Sequence, residues 1–421
     1  MPVLVKSFKL LFIPLLIMKL LLVYPPFAPH SIKPYSISGL KAFISANSNI
    51  KVKALDLNAK FHTLKGFTTL DKIYRALPVY EMNNRNILLG KKPEFFDELL
   101  SLIKKEKPDY VAFSLVYNSQ CFYAKSLIEE LECKVFLGGP AVSPRLFGHR
   151  IHTAEELLYY FNEKPIKNPL PDFKDLPDKD YLSPEIIPVK SSEGCPYGKC
   201  VFCSHHFGIE YRELELNINS GKYFFFIDDM IPLRRLIEIG EKMPPGTFWW
   251  AQLKPTADLI PYLKWLSKKG LKSVAWGVES GSQRMLKRMN KGTSIPTISK
   301  VLLEAKKAGI VNTVYLMFGF PGETEDDFYA TLNFLEENNK NIDLVSTSTF
   351  GLQKGTKIYE NFKDYGVSRI IHEKRTILDD KIYFKPEPLT IGLKKRHRRR
   401  IERINKLPKA FSYLKEQTLF V

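Results

Sequence analysis

Cys195, Cys200 and Cys203 fall within the stretch Ser191-Ser192-Glu193-Gly194-Cys195-Pro196-Tyr197-Gly198-Lys199-Cys200-Val201-Phe202-Cys203. Thiolates crowded this closely are metal ligands or part of a disulfide knot. The chain has only five cysteines, and the other two, Cys121 and Cys133, are too few and too distant to complete a framework. They read as buried, inert thiols. Three thiolates leave a tetrahedral metal one ligand short. Either His205 or His206 fills the gap, or the position is held open for chemistry. Spacing alone permits zinc with a histidine or an iron–sulfur cluster with one open iron.

A second set of polar groups sits where apolar runs end. Asp228 and Asp229 follow Tyr223-Phe224-Phe225-Phe226-Ile227. Glu279 and Ser280 follow Val274-Ala275-Trp276-Gly277-Val278. A carboxylate at the exit of an apolar strand is costly unless it meets a cation or hydrogen-bond donors. A bound cationic ligand answers that cost, and so does a salt bridge to Lys254 or Arg284.

Two series of strands and helices must position these groups. In the first half, apolar or alternating runs at 20–23, 51–58, 109–115 and 134–139 predict strands. Runs at 38–46, 95–105, 121–131 and 153–161 predict helices. No further strand is expected between Gly139 and the helix at 153. This alternation predicts a doubly wound, Rossmann-like parallel sheet over 18–163, with ligands beyond the carboxyl ends of its strands. Ser114, Gly138 and Gly139 fall at those ends. Gly138-Gly139 also fits a tight turn needing positive φ. A proline-rich linker follows over 164–184. From 185 to 365, six runs ending at the cysteine loop, Asp228-Asp229, Lys254-Pro255, Glu279-Ser280, Gly319 and Leu352 predict strands separated by helices. They describe a partial TIM-type (β/α)6 barrel with its site at the carboxyl ends. The connection between the first two barrel strands is short for a parallel crossover, which needs a dozen residues or more.

Composition narrows the setting. The chain has 421 residues, enough for two domains, and 44% hydrophobic content, which excludes global disorder. The formal net charge of +18 favours anionic partners. Sparse cysteines fit a reducing cytoplasm. The apolar stretch 8–24 is broken by Lys9, Pro14 and Lys19, so neither a membrane span nor a signal peptide is expected. Residues 1–17 read as a dispensable hydrophobic extension. Residues 366–421 read as a basic helical tail carrying Lys394-Lys395-Arg396-His397-Arg398-Arg399-Arg400. Such a run is a solvated helix face or an RNA-phosphate contact.

The cysteine loop, Gly277-Val278-Glu279-Ser280-Gly281-Ser282, Met289-Asn290-Lys291-Gly292 and Gly319-Phe320-Pro321-Gly322-Glu323-Thr324 resemble the radical S-adenosylmethionine (SAM) superfamily over about 185–365. The first gap between cysteines is four residues rather than the family's usual three. Val23-Tyr24-Pro25-Pro26-Phe27, Asp56-Leu57-Asn58, 108–114 and Leu137-Gly138-Gly139-Pro140 resemble the cobalamin-binding domain that precedes the barrel in one class of these enzymes. That domain's Asp-x-His-x-x-Gly has no counterpart here.

The resemblance implies that Cys195, Cys200 and Cys203 hold a 4Fe-4S cluster whose fourth iron binds SAM. Reductive cleavage then gives a 5′-deoxyadenosyl radical. It also implies SAM contacts at Phe202, Asp228, Asp229, Glu279, Ser280 and Gly319, and cobalamin contacts at Ser114, Gly138 and Gly139. An electron donor such as ferredoxin or flavodoxin, and a peptide, RNA or small-molecule substrate open to methylation, follow as expected partners. The rival reading is a zinc-stabilised RNA-binding protein without radical chemistry.

Overall fold

The structure is a computed structural model describing residues 18–404, except 168, 205–208, 217 and 219–220. The extension 1–17, His205, His206 and the end of the basic tail therefore lie outside the described residues.

The first sheet is built from β1 (Lys19–Tyr24), β2 (Lys51–Asp56), β3 (Tyr110–Ser114), β4 (Lys134–Gly138) and β5 (His149–Ile151). All are parallel, in the order β2-β1-β3-β4-β5. This is a doubly wound order whose switch point lies between β1 and β3. Residues 20–24 of β1 are buried because helices cover both faces of its central position. The strand β5 was not expected from sequence. Its three residues, His-Arg-Ile, are too few and too polar to show an apolar run, and pairing to β4 alone makes it a strand. Helices at Leu57–Lys65 and Leu77–Leu88 were likewise not anticipated.

The segment expected to be a linker is tied to the first sheet. Lys41 bridges Asp172 at 3.0 Å and Asp175 at 2.7 Å, and Tyr181 donates to the buried Asp56 at 2.9 Å. Burial raises the Asp56 carboxyl to about 6.

The second sheet comprises β6 (Ile186–Val189), then β9 (Tyr223–Phe226), β10 (Phe248–Leu253), β11 (Leu271–Glu279), β12 (Val311–Phe318) and β13 (Leu344–Thr349). Between β6 and β9 lie two two-residue strands, β7 (Ser192–Glu193) and β8 (Arg212–Glu213), paired antiparallel. The six long strands are parallel and neighbour one another in chain order. That is an open (β/α)6 barrel. No helix is described between β6 and β9, so this crossover is irregular and built around the short β7–β8 stem.

The lumen carries Ile186, Phe225, Trp250 and Ala275. The Phe225 and Trp250 rings stack at 4.0 Å. Ile32, from the loop after β1, packs against this set and links the two sheets.

The segment expected as a basic tail folds back on the barrel. A hairpin of β14 (Arg369–Glu373) and β15 (Lys381–Lys385) precedes helices Leu389–Arg396 and Arg398–Ile404. Leu393 and Ile401 join the barrel core. Lys394 donates to the Ser348 carbonyl at 2.8 Å and stands over the Phe318 ring. The helix is therefore not solvated all round: the apolar residues between its basic ones find a barrel surface to cover. The turn before β15 sends Ile377 into the first domain's core, where Ser143 donates to its carbonyl at 2.5 Å.

Candidate functional site

The cysteine loop leaves the carboxyl end of β6 and is pinned at its root. Asp228, after β9, accepts from the Ser191 amide at 3.1 Å, the Ser191 hydroxyl at 2.9 Å and the Ser192 hydroxyl at 2.6 Å. Burial raises the Asp228 carboxyl above its ordinary value, although these donors oppose the shift. Arg235 is buried on the following helix and donates to the carbonyls of Ser191 and Leu214. It gathers both arms of the β7–β8 stem, a role the sequence did not signal.

The far side of the loop is stapled to the turn that ends the helix Gln283–Arg288, which follows β11. Val201 donates to the Met289 carbonyl at 3.2 Å, Tyr197 to the Asn290 carbonyl at 2.8 Å, and Asn290 to the Lys199 carbonyl at 3.0 Å. The Met289-Asn290-Lys291-Gly292 signature thus clamps the cysteine loop. Gly292 has φ +63°, and a Cβ there would stand 2.9 Å from Tyr197 Cζ and 3.0 Å from Lys254 Nζ.

None of the three cysteines is in a disulfide, and all are partly exposed. Burial raises the Cys200 thiol, while Lys291 and Lys254 pull it down. Lys291 is buried and pairs with Glu279 at 2.8 Å. Lys254, at the exit of β10, lies 3.2 Å from the centre of the Tyr197 ring. Burial lowers its ammonium to about 8. Among the described residues no group of three or more His, Cys, Asp or Glu side chains gathers round one metal-ion position. Cysteines that hold a cluster each bind a different iron and so stand farther apart than ligands of one ion. Thiols outside any disulfide, on a pinned loop beside two cations, match a thiolate-held, negatively charged group. The donor set fits a 4Fe-4S cluster.

The other expected contacts divide into two groups. Asp228, Asp229 and Glu279 stand at strand exits around the loop, and Phe202 packs against the buried cluster that includes Met317 and Phe320. Asp228 is committed to the stem, and Glu279 takes Lys291 as its partner rather than Lys254 or Arg284. Ser280 is fully buried against Thr331, with 3.2 Å between hydroxyls. Gly319 has φ +84°, donates to Glu323 at 2.6 Å and faces Ile391 of the folded-back helix. Arg284 binds Asp327, which also accepts from Ser282 at 2.6 Å and closes a capping box with Thr324. The Glu-Ser-Gly-Ser turn and the Gly-Glu-Thr turn are therefore stitched to each other.

At the first sheet, the loops after β1 and β3 hold each other. Gln120 donates to the Pro25 carbonyl at 2.9 Å and Ser119 to the Phe27 carbonyl at 2.7 Å. Phe27 is buried, stacked on Tyr80 and edge-on to Phe61 and Tyr123. Ser114 donates to the Ser36 hydroxyl at 2.8 Å. Gly139 has φ +109°, and a Cβ there would stand 2.8 Å from the Leu115 carbonyl carbon. Gly138 needs no positive φ. The space that Gly139 opens is taken by the chain's own backbone. Ser114 and Gly139 are thus held in place by the chain's own groups at the carboxyl ends of β3 and β4.

The loop after β1 also reaches the cysteine site. Tyr35 lies within electrostatic range of Glu193 and Asp228, and burial, aided by those two carboxylates, raises its hydroxyl to about 12.

Residues 252–335 match the radical SAM superfamily. Over that stretch the chain is similar to a radical SAM domain, and its arrangement of two parallel sheets is shared with solved structures. Among individual proteins, it is 30% identical over 200 residues to a bacteriochlorophyllide d C-12(1)-methyltransferase of Chlorobaculum tepidum, covering 43% of each chain. It is 28% identical over 213 residues to an uncharacterised methyltransferase of Pyrococcus horikoshii, covering 46% of each. The matches span about half the length of these curated relatives. In fold it is similar to the cobalamin-dependent SAM radical enzyme OxsB with aqua-cobalamin bound. The TM-score is 0.62 at 14% identity, over 96% of this chain and 71% of that one. It is also similar to the methyltransferase TsrM from Kitasatospora setae with cobalamin and a [4Fe-4S] cluster bound. There the TM-score is 0.58 at 13% identity, over 86% and 82%.

Among the described residues no helix is long and apolar enough to cross a membrane.

Proposed function

We propose that the protein is a cytoplasmic radical SAM enzyme that modifies a substrate after cleaving SAM at the cysteine loop. The observation that carries this reading is the pinned three-cysteine loop at the carboxyl end of the first barrel strand, flanked by Lys254 and Lys291. A reduced 4Fe-4S cluster, held there by Cys195, Cys200 and Cys203, would supply one electron to cleave SAM reductively to methionine and a 5′-deoxyadenosyl radical.

In this reading Cys195, Cys200 and Cys203 hold the cluster. Phe202 gives the adenine an apolar neighbour. Asp229 and Glu279, at the exits of β9 and β11, accept from the ammonium and hydroxyl groups of SAM. The loop carrying Ile32 and Tyr35 keeps water from the mouth of the barrel. The electron comes from a small redox protein of the ferredoxin or flavodoxin kind. Methyl transfer is the activity that the relatives' names give, and the basic surface supports an anionic peptide or RNA as the acceptor. The zinc-stabilised RNA-binding reading is not favoured, because it leaves the superfamily match over 252–335 unused.

Anaerobic reconstitution tests the proposal. The expected result is a brown protein with iron and sulfide that releases 5′-deoxyadenosine from SAM, and a Cys200→Ala variant that releases none. A colourless protein holding stoichiometric zinc, or normal cleavage by Cys200→Ala, refutes it.

A further inference from the structure

Resting on the cluster reading, we propose that Lys254 and Lys291 form a cationic wall that makes the cluster easier to reduce. Lys254 is buried, and among the described residues no carboxylate pairs with it. Its ammonium instead lies 3.2 Å from the centre of the Tyr197 ring, and Tyr197 sits between Cys195 and Cys200 in the loop. Lys291 is also buried and has one partner, Glu279 at 2.8 Å. Lys254 thus stands directly on the cysteine loop, and Lys291 follows Met289 and Asn290, whose carbonyls accept from that loop. Within ion-pair distance the two cations therefore have one carboxylate between them, while Asp258 acts on Lys254 only from farther off.

A surplus buried charge is costly unless an anion joins it. The thiolates and the iron–sulfur core that they carry are that anion. Taking up one electron makes this group more negative by one charge and forms no new bond. A fixed cation in a poorly screened site therefore favours the reduced state over the oxidised one. The glycines at both lysines keep the wall close. A Cβ on Gly277 would stand 2.9 Å from Lys291 Nζ, and one on Gly292 would stand 3.0 Å from Lys254 Nζ. Lys254 and Lys291 act here as positioning residues for charge. The proposal assigns them no bond to SAM.

The test uses the full chain, reconstituted anaerobically as wild type, Lys254→Met, Lys254→Arg and Lys291→Met. Iron and sulfide are counted first. Each protein is then reduced stepwise by a low-potential chemical reductant in the presence of mediator dyes and without SAM. The reduced cluster is read by electron paramagnetic resonance. At the wild-type midpoint, Lys254→Met is expected to show about a tenfold lower ratio of reduced to oxidised cluster, a midpoint about 59 mV more negative. Lys291→Met shifts in the same direction, because it also leaves Glu279 unneutralised. Lys254→Arg keeps the charge and stays with wild type. A fully loaded Lys254→Met with the wild-type midpoint overturns the proposal while leaving the cluster reading intact. So does a Lys254→Arg midpoint displaced as far as that of Lys254→Met, which would mark a packing effect. A wild type that takes up no iron and sulfide overturns both.

Discussion

Asp228→Asn separates two jobs that a carboxylate at this position could have. The side chain accepts from three donors at the root of the cysteine loop, at 2.6 to 3.1 Å, and is 3% exposed. Hydrogen bonds to a charged group contribute about 1.5–3 kcal/mol each. An asparagine keeps one acceptor oxygen and turns an amide donor toward the remaining serine, so part of that set survives. The expected loss is about 2–4 kcal/mol, a fall of about 4–16 °C in the melting temperature of a domain this size. Asp228→Ala leaves all three donors buried without a partner and loses more. The assay is thermal unfolding of the metal-free protein without SAM, followed by iron content after reconstitution. A structural role predicts that the stability loss appears in the metal-free protein and that iron retention falls with it. If both variants melt like wild type and fail only in SAM binding, the carboxylate belongs to the ligand and the stem argument is wrong.

Three other predictions follow from the geometry. Gly139→Ala places a Cβ against the Leu115 backbone at a φ of +109°, and is expected to cost about 2 kcal/mol or more in chemical denaturation; a neutral outcome would mean that the β4 turn is not as tight as described. Leu393→Ala removes a fully buried side chain from the folded-back helix and is expected to destabilise the barrel by about 2–4 kcal/mol, whereas a solvated tail predicts no change. His62 is buried and its imidazole is lowered to about 4, while an unfolded chain takes up that proton near 6.5. Stability from this group is therefore present at neutral pH and lost as pH falls from about 6.5 to 4, about 3 kcal/mol in all, and Asp56, raised to about 6, acts in the opposite sense. His62→Gln should flatten the slope of stability against pH in that window by about one proton; an unchanged slope would contradict the burial argument.

The cysteine spacing and the six apolar runs were legible because each is local: a ligand pattern and a strand need only neighbours in sequence. The role of Asp228 was not, since a carboxylate after an apolar strand reads the same whether it holds two serines or a ligand. Lys254 and Lys291 went unweighed as a pair for a related reason. They lie 37 residues apart in the chain and meet only because β10 and β11 are neighbours. Arg235 gave no signal on a helix that already carries Arg234 beside it. The hairpin β14–β15 did leave a trace, the alternation in Lys381-Ile382-Tyr383-Phe384-Lys385. It was hidden by the density of positive charge that follows. The strand β5 had no trace to leave.

Ile32 gives the two halves of the chain a shared wall. The set Ile186, Phe225, Trp250 and Ala275 takes one of its packing neighbours from outside the barrel. Exchanging the first sheet for one from another protein would withdraw that contact and leave part of this apolar set uncovered. Any engineering of this chain must therefore keep the loop carrying Ile32 together with the barrel that it covers.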